Sequence, residues 1–216
     1  MDIAKNYVLT NEDGNDVTHE LLSFADCIGL NSVAPNRYSL IFLLELYGGF
    51  KSGGIHVEKV LHEIRVLEGT GQQSQLKEPT QFLRPPLKGL WHKHYFEGGL
   101  GALAFNLRKA LNRYGIPFFE QKINEAKEPG GRQSISIDDP DVNEWINDLV
   151  NDVVSGHWTR LTDDQAVTGE WIVYATHENQ NFYLCLGRHD DGDEVIRTKI
   201  DSQCLQQFPF LENILE

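Results

Sequence analysis

The sequence predicts an α+β fold: a helical N-terminal part followed by a small antiparallel β-sheet with a C-terminal helix. Three observations carry this. Apolar residues recur at helical spacing three times within the first 70 residues. Two β-rich runs, Trp171-Ile172-Val173-Tyr174 and Phe182 to Leu186, flank a polar turn at His177 to Asn181. A last helical stretch from about Asp193 to Gln207 then stops before Pro209.

The first helix is expected from about Val17 to Leu30, capped by Asp16 or Thr18, with Leu21, Leu22, Phe24, Ala25 and Ile28 as its stripe. A second runs from Arg37 to Tyr47, where Gly48 and Gly49 should stop it. A third runs from about Ile55 to Leu67, with Val57, Val60, Leu61, Ile64 and Leu67 on one face. Gly69 to Pro79 is polar and glutamine-rich and reads as a linker or long loop, the best candidate boundary. The expected division is a helical unit over 1–70 and an α+β domain over 80–216, with one continuous domain as the alternative.

Leu87 to Phe96 suits a strand, so His92 and His94 share one face while Trp91, Lys93 and Tyr95 share the other. Gly98, Gly99 and Gly101 lead into a helix over about Ala102 to Tyr114, and a turn of helix is expected near Glu120 to Ala126. Ser134 to Ile137 reads as a short strand. Asp138-Asp139-Pro140 signals the start of a helix reaching about Ser155, which should bury Val142, Ile146, Leu149, Val150 and Val153 and turn an acidic face outward. The 170–186 hairpin is apolar on both faces, which predicts strands interior to the sheet.

Composition narrows the functional classes. Hydrophobic residues make up 40% of the chain and charged ones 24%, the balance of an ordinary globular protein. No apolar run reaches the roughly 18 residues that a membrane span needs, and the N-terminus lacks the apolar core of a signal peptide. Cys27, Cys185 and Cys204 are widely spaced, so they read as reduced, mostly buried thiols of a cytoplasmic protein without a zinc ribbon. His19, His56 and His62 read as surface histidines with no ligand spacing around them. Net charge is −13 but uneven. Residues 82–133 hold 9 basic and 4 acidic side chains, and residues 134–216 hold 4 basic and 17 acidic ones. The first segment could seat RNA phosphates; the second could face a basic protein partner.

The densest chemistry lies between Arg84 and Tyr95. Metal-free cleavage of RNA needs a base for the 2′-hydroxyl, an acid for the leaving oxygen and cations for the phosphorane charge. His92, His94 and Tyr95, with His189 across the chain, could move protons; Arg84, Lys88, Lys93 and Arg188 could hold phosphate. No cofactor is implied. A His92-x-His94 pair completed by His189 and the aspartates at 190, 191 and 193 is an alternative metal site. The stretch Leu186-Gly187-Arg188-His189-Asp190-Asp191-Gly192-Asp193-Glu194-Val195-Ile196, entered from a hairpin, resembles the ending of RelE/HigB-type messenger-RNA interferase toxins, in the wider barnase–EndoU–colicin–RelE group. The resemblance covers roughly 170–197 and implies a toxin- or defence-associated endoribonuclease with His189 near its site and Arg188 beside it. The leading expectation is therefore a metal-independent ribonuclease. The alternative is an acidic, non-enzymatic binding module, immunity- or antitoxin-like, whose face is the 140–155 helix with Asp141, Glu144, Asp148 and Asp152. An enzyme of the first kind requires the 84–95 stretch and the 188–189 turn to meet in space.

Overall fold

The structure, a computed structural model, describes residues 8–11, 13–96, 99–164, 166–167, 169–188 and 191–215. In chain order the elements are α1 Thr18–Cys27, α2 Leu30–Val33, α3 Leu40–Ser52, α4 Val57–Leu67, β1 Thr80–Gln81 and β2 Trp91–Tyr95. Then come α5 Leu100–Tyr114, α6 Pro117–Lys127, α7 Val142–Asn151, a wide π turn Asp152–Gly156 and α8 His157–Asp163. Next are β3 Glu170–His177, β4 Gln180–Gly187, α9 Asp193–Gln203 and a 3-10 turn Pro209–Asn213. The fold is α+β. The chain divides into two compact units, one of residues 1–97 with 168–216 and one of residues 98–167.

The first unit is built on an antiparallel sheet of order β1-β2-β3-β4. One face carries Tyr95, Ile172, Tyr174, Tyr183 and Leu186 and is covered by α1, α3 and α4 through Leu21, Phe42, Leu43, Leu46, Leu61 and Ile64. The other face carries Val173, Ala175, Leu184 and Cys185 and is covered by α9 and the C-terminal turn through Ile196, Ile200, Phe208 and Leu211. The hairpin closes over Glu178 and Asn179, both at positive φ (50° and 61°), which matches the twist of antiparallel strands. A bulge follows the pairs Val173↔Cys185 and Tyr174↔Tyr183, so Leu184 and Cys185 face the same side.

Both hairpin strands are buried, but β4 is an edge of the sheet rather than an interior strand. Its outer backbone is capped by other elements. Tyr183 donates its N–H to Arg37 O (2.8 Å) and accepts from Ser39 N (2.8 Å). The Ser39 hydroxyl donates to Leu184 O and also accepts from Phe42 N (3.0 Å), so one side chain caps α3 and seals the edge. Leu186 N donates to Glu45 Oε2 (2.6 Å), and Leu186 O accepts from Lys199 Nζ (3.0 Å). The Arg37 guanidinium grips Glu68 with two nitrogens (2.9 and 2.5 Å) and donates to Asn181 O (2.8 Å). Both backbone groups of Leu186 and the outer groups of Tyr183 are thus satisfied without another strand.

Several local expectations are corrected. Helix α3 does not stop at Gly48 but runs to Ser52 and ends on Gly53, at φ 70°. Gly49 is in the helix because a Cβ there would sit 2.3 Å from Ile55 Cδ1; the glycine buys close packing rather than a stop. The polar stretch 69–79 lies within the first unit, held by Ser74, Leu76 and Lys77 against Lys93. Residues 134–137 form no strand. The thiols are mostly buried, as expected: Cys185 and Cys204 are buried and Cys27 is exposed. Burial pushes the Cys204 thiol up to about 12.

In the second unit α5 packs with α8, and α6 with α7. Helix α7 starts at Val142, two residues after Pro140, because the Asp139 carboxylate is taken by Ser136 N and Arg132. It buries none of its residues; Ile146 and Val150 are 45% and 51% exposed.

Two stability experiments follow. Gly48→Ala is expected to stabilise by up to about 1 kcal/mol, since Gly48 is helical with open space around it. Gly49→Ala should cost about 1–3 kcal/mol through the Ile55 clash; urea melts separate the two signs. The second concerns acid. Burial works to raise the Glu68 carboxyl, but Arg37, the Tyr183 hydroxyl and Asn181 outweigh it and hold Glu68 below the ordinary glutamate range. Its contribution is therefore present above about pH 4.5 and lost as pH falls through the lowered value. Glu68→Gln should lose about 2–4 kcal/mol at pH 7 and show a shallower decline in urea midpoint between pH 5 and 3.

Candidate functional site

Strand β2 sends side chains alternately to the two sheet faces, as its sequence predicts. His92 and His94 lie together, ring centroids 5.4 Å apart, beside Trp171. His92 also meets Phe82 at 4.6 Å and is 9% exposed. His94 is 3% exposed and its Nδ1 lies 2.7 Å from Gly169 O, the geometry of a ring N–H donating to a carbonyl. Gly169 permits this approach: a Cβ there would sit 1.9 Å from Tyr95 O.

On the other face Lys93 is fully buried. Its ammonium donates to Lys77 O (2.8 Å) and Ser74 Oγ (3.3 Å) and lies 3.3 Å from Glu63 Oε2. Ser74 donates to Glu63 Oε1 at 3.0 Å, so the pair sits inside its own hydrogen-bond shell. Tyr95, 2% exposed, belongs to the helix-covered core. Arg84 and Lys88 are exposed in the turn before β2, and Arg188 is exposed just after β4. His189 and Asp190 lie outside the described residues.

Register brings two of these regions near each other. Trp171 pairs with His94 on one side and Gly187 on the other. The ends of β2 and β4 therefore lie at one end of the sheet, two strand spacings or about 10 Å apart. A cleft of about 350 Å³ there is lined by Tyr95 and Arg188, with Glu45, Lys199, Asp191 and Leu186. His92 and His94 project from the opposite face of β2, and Arg84 and Lys88 do not line this cleft. Two of its charges are mutually engaged: Glu45 and Lys199 are 2.6 Å apart and together cap Leu186, while Asp191 accepts the backbone N–H of Arg188 (2.9 Å). Burial raises the Glu45 carboxyl; burial opposes the Lys199 ammonium, but Glu45 raises it overall.

The second unit carries a wider cleft, of about 610 Å³, between α6 and α7. Phe119, Ile123 and Ala126 line it at i, i+4 and i+7 on α6, and Ile135 comes from the connecting loop. From α7 come Asp141, Glu144, Trp145 and Asp148, again one helical face. Lys122 and Arg132 also line it. Lys122 pairs with Glu125 at 2.8 Å, and Arg132 pairs with Asp139 and Asp141. Among the described residues no cation pairs with Glu144 or Asp148.

One cluster has no counterpart in the sequence reading. His157 is fully buried. Its Nε2 donates to Gly115 O (2.9 Å), and its Nδ1 accepts from Arg160 Nη1 (2.6 Å). Arg160 pairs with Asp152, which accepts Phe118 N (3.0 Å) at the start of α6. Burial works to raise the Asp152 carboxyl, but Arg160 and the Phe118 N–H hold it below its usual range. Only the i, i+3 spacing of His157 and Arg160 and the i, i+8 spacing of Asp152 and Arg160 could have hinted at this.

Among the described residues no group of three or more His, Cys, Asp or Glu side chains gathers as metal ligands, and no helix is long and apolar enough to cross a membrane. No family model, no curated protein and no solved structure matches this chain.

The buried ion pair gives a direct check on Lys93. Lys93→Met strands the Glu63 carboxylate and should cost about 3–5 kcal/mol, whereas Lys93→Met with Glu63→Leu should recover most of that loss. Chemical unfolding of the three proteins reads the difference.

Proposed function

We propose that this chain is a binding protein whose helical unit, residues 98–167, takes a basic protein partner through the α6–α7 face. The observation that supports this reading is the exposed carboxylate wall of α7. Residues 133–159 contain six Asp and Glu and no Lys or Arg. Glu144 and Asp148 are exposed and line a cleft that also carries Phe119, Ile123 and Ala126. Opposite charge at such a face speeds encounter and selects against acidic partners. Against this, His92, His94, Lys93 and Tyr95 are nearly or wholly removed from solvent and engaged with protein groups. A substrate phosphate would have to displace packed core to touch them.

A second reading, the RelE/HigB-like ribonuclease, draws on one observation: Tyr95 and Arg188 line a common cleft at the end of the sheet. RNA cleavage in EDTA that is lost in Arg188→Ala would favour it over the binding reading.

The binding reading is tested by two triple charge reversals that change the net charge equally, from −13 to −7. Asp141, Glu144 and Asp148 changed to Lys should weaken binding of a lysine-rich polypeptide by at least about tenfold. The same reversal at Asp13, Glu178 and Glu194, exposed carboxylates of the first unit, should change it by less than about threefold. Equal losses in the two triple variants, measured by titration calorimetry at 150 mM salt, would reduce the interaction to overall charge and remove the site.

A further inference from the structure

We infer that the α6–α7 cleft receives a cationic, amphipathic α-helix of a partner protein. The inference rests on the binding reading above and names the shape and chemistry of what binds.

Short helices hold together by covering an apolar stripe, since propensity alone does not stabilise ten or eleven residues in water. Yet α6 and α7 bury no residue. On α6 the stripe toward the cleft is Phe119 and Ile123, 37% and 54% exposed, with Ala126 one turn on. Seven residues of helix make this stripe about 10 Å long, two turns of a facing helix.

The wall opposite is anionic. Asp141, Glu144 and Asp148 fall at i, i+3 and i+7, with Trp145 between them. The two cations in the cleft are spent on Glu125 and on Asp139 with Asp141, so they do not neutralise Glu144 and Asp148. An apolar floor beside a carboxylate wall matches a helix with Leu or Ile at i, i+3 or i+4 and i+7, and Lys or Arg along one flank. Trp145 lies where the two surfaces meet, packed against Phe118 and Phe119 with ring centroids 5.1 and 5.8 Å apart.

Charge also decides against other occupants. A second copy of this chain brings a net charge of −13 and its own acidic wall. Nucleic acid meets carboxylates where it needs cations. An added strand needs a sheet edge, and the described residues of 98–167 include none.

The test uses the full chain and three fluorescein-labelled peptides: a 16-residue Leu/Lys amphipathic helix, a scrambled peptide of the same composition, and a 16-residue oligolysine. Anisotropy should show the amphipathic helix binding at least about tenfold tighter than the other two, with affinity falling as salt rises. Ile123→Asp, at the floor, and Asp148→Lys, at the wall, should each weaken it about tenfold or more, while Glu178→Lys leaves it within about twofold. Circular dichroism checks the folding of each variant. Ile123→Gln reads the same floor contact if Ile123→Asp loses helix. If all three peptides bind alike and Ile123 variants match wild type, the helix-in-groove inference falls and the acidic binding reading stands. If no peptide binds, or Asp148→Lys is silent, both fall. Tighter binding of a single-stranded RNA that these same variants abolish would overturn both in favour of a nucleic-acid site.

Discussion

The first unit depends on how the edge of β4 is closed. A buried apolar strand with unpaired backbone groups is a template for association with any other strand. Here residues 37–45, at the start of α3, run along that edge. They meet β4 with backbone at Arg37 and Ser39, with a hydroxyl at Ser39 and with a carboxylate at Glu45. Lys199 from α9 completes the closure from the other side. The helices on both faces are thereby tied to one strand, and the sheet needs no further strand on that side.

The same logic explains where the ionisable groups of the 84–95 stretch have gone. Lys93 holds down residues 74–77 and pairs with Glu63 on α4. His94 locks the entry to β3 through Gly169. His92 fills space between Phe82 and Trp171. A polar group taken out of water must be matched by partners inside, and a matched group has little capacity left for a substrate. The chemistry that looked dense along the chain is spent on holding the sheet to its neighbours.

The second unit shows the opposite economy. Its buried polar cluster, His157 with Arg160 and Asp152, joins α8 and the π turn to the start of α6. Its apolar side chains on α6 and α7 are only partly covered, with Ile123 and Val150 54% and 51% exposed. One unit is closed by internal hydrogen bonds, and the other keeps an amphipathic surface.

The sequence by itself determined the fold class, the alternation of β2, the hairpin and the amphipathic helices, because these follow from residue spacing within a dozen positions. It also located the acidic helix that now lines the wider cleft. Only the tertiary structure decided that Gly49 packs against Ile55 instead of ending a helix, that Ser74 to Lys77 cap a buried ammonium, and that β4 is an edge closed by α3. The same holds for the candidate site. Residue types made His92, His94 and Lys93 look reactive, but availability depends on burial and on partners 10 to 80 positions away. Local spacing sets the periodicity of a segment; which face meets solvent is fixed only when distant segments cover the rest.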